Sequence, residues 1–180
     1  MGIVIAQAPA APIPLTELKA FLRIGTSEED ALLATLVRAA ADTCEAFTGR
    51  ALIVRAVEEI LPAATGWARL GAAPVAAIDG VAALAADGTS SALAVGDYSV
   101  DIDAAGEGWV RLLRALDEKR IRVAYRAGMA ADPNGLPEAL RHGIVRLAAC
   151  LYANRDAQAA VAPPAAVTAL WRPWRRLRLS

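Results

Sequence analysis

The sequence predicts an α+β fold on three observations. Residues 27–48 place Leu33, Leu36, Val37, Ala40, Cys44 and Phe47 at spacings of three and four, which is the period of a helix with a single apolar stripe. From about residue 51 to residue 127 the period falls to two, most regularly over 120–127, where Ile121, Val123 and Tyr125 alternate with Arg120, Arg122 and Arg126. The helical period then returns over 137–155 through Leu140, Ile144, Leu147, Ala148, Leu151 and Tyr152. Two long amphipathic helices and a short N-terminal one are therefore expected to pack with an antiparallel strand set, followed by a C-terminal extended tail.

The elements follow in order. Residues 1–12 are small, apolar and punctuated by proline, which suits an extended arm that docks on a neighbour. Residues 15–22 make a short helix behind Pro14, with Leu15, Leu18, Phe21 and Leu22 on one side. Thr26 and Ser27 are potential caps for the long helix, three acids at 28–30 suit the positive end of its dipole, and Gly49 closes it. Strands are expected at 51–61, 67–70, 75–84, 92–95, 98–102, 109–113 and 120–127, with Asp87-Gly88 turning a hairpin. Pro137 opens the last long helix, and residues 157–164 are an alanine and proline linker. The domain division expected is an arm (1–12), one domain (13–156) and a linker with tail (157–180).

The 180 residues suffice for one domain with a real core, although much of the 56% hydrophobic content is alanine, which buries little area. Seventeen of the nineteen basic residues are arginine, a bias that a G+C-rich genome produces without functional pressure. The zero net charge conceals an asymmetry. Residues 157–180 hold Arg172, Arg175, Arg176 and Arg178 with no acid, so the basic part of the chain is its tail. Cys44 and Cys150 lie on apolar helix stripes and read as buried thiols. No signal peptide is expected from the start of the sequence, Ala6 stands where a myristoylation motif needs Ser or Thr, and no membrane span is expected.

Little supports catalysis. His142 is the single histidine, flanked by Arg141 and Gly143 with no nucleophile motif nearby, and a solvated or interface histidine is expected. Asp97, Asp101, Asp103 and Glu107 do not have the spacing of a calcium loop, so no metal is expected. Gly66, Gly71, Gly106 and Gly108 form no phosphate-binding loop, and no cofactor is expected. The segment shaped for a partner is the C-terminus. There Trp171 and Trp174 bracket Pro173 and alternate with Arg172, Arg175, Arg176 and Arg178, residue types of interface hot spots. A tail folded back with its tryptophans buried, and nucleic acid contact through stacking and arginine, are the alternatives.

The order of parts resembles the head-to-tail connector (adaptor) family of tailed bacteriophages and phage-derived gene transfer agents. The resemblance is carried by LTELKAFLRI, the long helix ending EAFTGRAL, the Leu136-Pro137-Glu138-Ala139-Leu140 helix start and the later LYANRDA. Phe47, Gly49 and Arg50 correspond to one family signature and Tyr152, Asn154 and Arg155 to another, with Pro137 between them. The resemblance implies a structural virion protein of the particle neck with no reaction to catalyse. It implies a homo-oligomeric ring, twelvefold, beneath the portal protein, extending the DNA channel, docking the next connector or stopper protein and passing double-stranded DNA without sequence specificity. The tail then becomes a portal-binding element; a DNA-binding accessory protein using that tail is the alternative.

Overall fold

The computed structural model describes residues 2–5, 10–155 and 162–176; Arg178, the arm positions 1 and 6–9 and the first part of the expected linker lie outside the described residues. The chain forms two compact units, Met1–Pro9 with Val54–Met129, and Ala10–Ile53 with Ala130–Ser180, a division that differs from arm, domain and tail. The α+β class holds. No helix among the described residues is long and apolar enough to cross a membrane.

The first unit is all β. A five-stranded antiparallel sheet is ordered β1 (Gly2–Ile5), β2 (Arg55–Pro62), β8 (Arg120–Ala127), β4 (Val75–Leu84), β5 (Ser90–Ala92). A second sheet of three strands is ordered β3 (Ala68–Arg69), β7 (Gly108–Leu112), β6 (Tyr98–Ile102). Because side chains alternate across a strand, β2 and β8 send Val57, Leu61, Ile121, Val123 and Tyr125 to one face, where they join Leu70, Val75, Val81, Val110 and Leu112 in a single core. The expected arm is in part a strand, since residues 2–5 pair with β2 in register Gly2 to Ile60 through Ile5 to Val57. The strand expected at 92–95 is instead β5 followed by a 3-10 turn, Val95–Asp97.

Glu59 is the polar exception in this core. The alternation that buries Val57 and Leu61 also buries Glu59, which is fully inaccessible. Its carboxylate accepts from the Gly71 amide at 2.8 Å and from the Tyr125 hydroxyl at 2.9 Å, while the Ala72 amide donates to the same hydroxyl at 3.1 Å. A buried acid thus ties β2 and β8 to the loop that leads into β4. Gly106 and Gly108 are there for close approach: a Cβ on Gly106 would lie 2.6 Å from Pro74 Cβ, and one on Gly108 2.7 Å from Val75 Cγ2.

The second unit is helical: α1 (Leu15–Leu22), α2 (Asp30–Thr48), α3 (Glu138–Ala153) and α4 (Ala165–Trp171). Leu18, Leu33, Val37, Ala40 and Cys44 meet Leu140, Ile144, Leu147 and Ala148 in its core. Charged pairs fasten the helix ends. Lys19 Nζ lies 2.6 Å from Asp30, and the Arg141 guanidinium reaches Glu17 at 2.7 Å and Glu138 at 2.9 Å. The long helix starts at Asp30 without a side-chain cap, so Thr26 and Ser27 do not serve as expected; the Ser27 carbonyl instead accepts from the Asp30 amide at 3.2 Å. Gly49 closes α2 as expected, at φ +68 with its amide donating to Glu45 O at 2.8 Å. Pro137 precedes α3 in the cap position.

The C-terminal segment is not extended. Val167 and Trp171, four residues apart on α4, both bury, and the Trp171 ring is completely inaccessible. The ring fits because α3 carries Gly143 there: a Cβ on Gly143 would collide with the indole, 2.8 Å from Cε2 and closer still to Nε1. The indole N–H donates to the Leu140 carbonyl at 3.4 Å.

Four outcomes are expected. Tyr125→Phe leaves the buried Glu59 carboxylate with one donor fewer and costs about 1–3 kcal/mol in urea unfolding. Gly143→Ala forces Trp171 from its notch at a cost of about 1–3 kcal/mol, and Trp171→Ala empties the notch at about 3–5 kcal/mol, both read from melting curves. Burial pushes the Cys44 thiol up to about 12, so it stays protonated at neutral pH and a thiol reagent labels the folded chain at no more than the half-buried Cys150.

Candidate functional site

The residues that the sequence singled out in two distant stretches come together at the C-terminal end of α2. After Trp171 the chain makes one 3-10 turn, Arg172–Trp174, and runs past the end of α2, where each residue of Phe47-Thr48-Gly49-Arg50 meets it. Phe47 packs its ring on Trp171 at 5.9 Å between centroids, and the Arg175 guanidinium lies 5.3 Å from the centre of the same Phe47 ring. Thr48 O, left open by the end of the helix, accepts from the Arg176 amide at 2.7 Å. Gly49 is next to Arg176, whose Cβ is 3.5 Å from the position a glycine Cβ would take. Arg50 Nε donates to the Trp174 carbonyl at 3.0 Å.

This clasp orders the tail. Arg172, Pro173 and Arg175 are exposed, Trp174 and Arg176 half-buried, and Trp171 serves as the internal anchor rather than as a free aromatic. Arg172 has no side-chain partner among the described residues. The cluster of Arg50, Arg172, Arg175 and Arg176 stands at a helix C-terminus, where the unpaired carbonyls make positive charge favourable. A surface of planar cations around a half-buried indole suits an acidic protein groove.

The second signature lies at the other end of the helical unit. The Tyr152 hydroxyl donates to Glu29 at 2.5 Å, and this bond, with burial and the nearby Glu29 charge, holds the phenol above its ordinary range. Arg155 stacks on the Tyr152 ring at 4.6 Å, and Asn154 donates to the Cys150 carbonyl at 2.8 Å, closing α3. The Pro137 carbonyl accepts from the Leu140 amide at 2.9 Å. These four positions fix helix ends and stand apart from the clasp in sequence and role.

None of the remaining candidates joins the clasp. His142 is exposed on α3 with no side-chain hydrogen bond among the described residues. Asp97 is paired with Arg114 at 2.8 Å, a bond that holds its carboxyl below the usual range; Asp103 caps its turn through the amides of Ala105 and Glu107 at 2.9 Å. Among the described residues no three potential ligands cluster. Sequence reasoning missed Gly143, Leu140 and Val167, which seat the tail. The signal for them was a glycine inside a helical stripe.

Comparison with known proteins agrees with this layout. The model of the phage gp6-like head-tail connector protein family matches residues 12–84. Three solved chains are similar over the whole length, each with 100% of this chain and 98% of the other covered. One is from the neck of an empty gene transfer agent particle computed with C6 symmetry, at 29% identity and a TM-score of 0.83. One is from the virion of a native gene transfer agent particle, at 30% and 0.80, and one is from the neck of the native particle computed with C12 symmetry, at 28% and 0.80. None of the curated proteins matches. With a likeness of 30% identity along its entire length to a gene transfer agent virion chain, and with the family model matching from the first helix through β4, this chain belongs to the head-tail connector family, structural proteins of the neck of phages and gene transfer agent particles.

Proposed function

We propose that this connector forms a closed homo-oligomeric ring of twelve beneath the portal protein, continues the DNA channel and docks the next connector or stopper protein. The observation that carries the reading is the full-length similarity to a neck chain in a particle computed with C12 symmetry. C6 is a subgroup of C12, so the neck computed with C6 symmetry agrees with the same ring. A cyclic ring needs one heterologous contact repeated by rotation, and nothing in it requires a reaction. The role is structural, and His142 has no part in it.

The tail is the portal-binding element in this reading, with a division of labour among its residues. Trp171 anchors it inside, Arg50 and Thr48 aim it, and Arg172, Pro173, Trp174, Arg175, Arg176 and Arg178 meet the portal. A tail already ordered on its own subunit loses less conformational freedom on docking than a free one. The duplex passes without sequence-specific contact. The strand arginines Arg122 and Arg126 are paired with Glu58 at 3.8 Å and Asp79 at 3.3 Å, and neutralised arginines release few counterions from DNA.

Cryo-electron microscopy of particles from the source cell tests the ring, whose absence below the portal would overturn it. For the tail, the double variant Arg172→Glu with Arg175→Glu is expected to keep the melting temperature within a few degrees and to lower incorporation into particles by about tenfold or more. Incorporation at the unaltered level removes the tail from portal binding, and His142→Ala is expected to change neither quantity.

A further inference from the structure

Trp67 is the one tryptophan in the first unit that stands well out in solvent, at 46% exposure, and it is held rather than loose. The Arg111 guanidinium lies over its ring at 4.7 Å. The register β3-β7-β6 explains the setting. Trp109 on β7 faces Arg69 on β3 and Asp101 on β6, so alternate residues put Trp67, Arg69, Trp109, Arg111, Ser99 and Asp101 on the same side of the small sheet. A shallow cleft of about 270 Å³ opens there, lined by Trp67, Asp101 and Trp109.

The chemistry of the cleft is specific. Two indoles line it, Trp67 already carrying Arg111 over its ring, and Asp101 beside them has no ion pair or side-chain hydrogen bond among the described residues, whereas Asp97 is paired with Arg114 and Glu107 lies 3.9 Å from Arg69. Aromatic faces with an uncompensated carboxylate attract a cation, best a planar guanidinium that stacks and donates together. The complement is present in the same chain. In the helical unit Arg23 and Arg146 are exposed and their side chains have no partner among the described residues. A rotationally symmetric ring requires two unlike faces on each subunit, one to give and one to receive.

We infer that the Trp67–Asp101–Trp109 cleft is a socket for an arginine side chain of the neighbouring copy, and that this contact is part of what closes the ring. The inference rests on the ring reading above and adds the chemistry of its subunit contact. Arg111 serves as a positioning residue, fixing the Trp67 ring in the orientation that leaves the cleft open.

The test uses assembled particles in which Trp67, or in a second preparation Ser99 on the same face, is replaced by the photo-cross-linker p-benzoylphenylalanine, with adducts mapped by mass spectrometry. An adduct to the helical unit of another copy is expected. In parallel, Asp101→Arg is expected to lower the number of copies per particle about tenfold, and combination with Arg23→Asp or Arg146→Asp to restore it. Adducts to a different neck protein, or none from either position in particles that contain the ring, overturn the socket and leave the ring standing. Full copy number with Asp101→Arg likewise overturns it. Particles without any copy of the chain fail the ring itself and the socket with it.

Discussion

The indole of Trp171 occupies space that exists only because α3 has no side chain at Gly143. A buried tryptophan contributes more apolar area than any other single residue in the helical unit, and its burial fixes the direction in which the chain leaves α4. Everything that follows is a consequence of that direction. The 3-10 turn brings the Trp174 carbonyl to Arg50, the Arg176 amide to the open carbonyl of Thr48 and the Arg175 guanidinium to Phe47. Each of those contacts is weak alone, since an exposed hydrogen bond or stacked cation contributes about 1 kcal/mol. They become effective because the anchor has already met the entropic cost of bringing the segment to the helix end.

Arginine is used in this chain in two distinct ways, and the prevalence that codon bias provides is turned to structural account. One set is ion-paired: Arg141 with Glu17 and Glu138, Arg114 with Asp97, Arg122 with Glu58. The other set is stacked: Arg111 on Trp67, Arg155 on Tyr152 and Arg175 on Phe47. Lysine, a compact and strongly hydrated charge, would replace neither set well, because only a planar guanidinium makes the two-point bond of Arg114 to Asp97, bridges Glu17 and Glu138 as Arg141 does, or lies flat on a ring while keeping its edge free for acceptors.

Periodicity made much of the fold legible. The spacing of Leu15, Leu18 and Leu22 bounds α1 as observed, and the alternation over 75–84, 98–102 and 120–127 bounds three strands correctly. Glu59 was not read from the sequence, although the same alternation that buries Val57 and Leu61 puts the acid between them on the buried side. What the sequence withholds is contact across long separations. The Phe47–Arg50 stretch is identifiable as a signature, but its partner is more than 120 residues away, and no local pattern pairs them. The sequence left open whether Trp171 is a free aromatic or folds back to be buried, as it is, because the notch that receives it is a missing atom on another helix. The Trp67 face was invisible for a related reason, as its members lie on three strands and converge only through sheet register.

The helical unit is interrupted in sequence, and the break is closed in space: Ile53 bridges to Ala130, and the Ala130 amide donates to the Leu52 carbonyl at 3.1 Å. Residues 54–129 therefore depart from and return to adjoining points, the topology of a module spliced into a host. Among the described residues, the short strand Gly2–Ile5 alone joins the β unit from elsewhere in the chain. Such an arrangement separates two evolutionary problems. The strands and turns of the module can lengthen, shorten or be exchanged between lineages to suit a new neighbour, while the host that holds the tail keeps its core and its clasp unchanged.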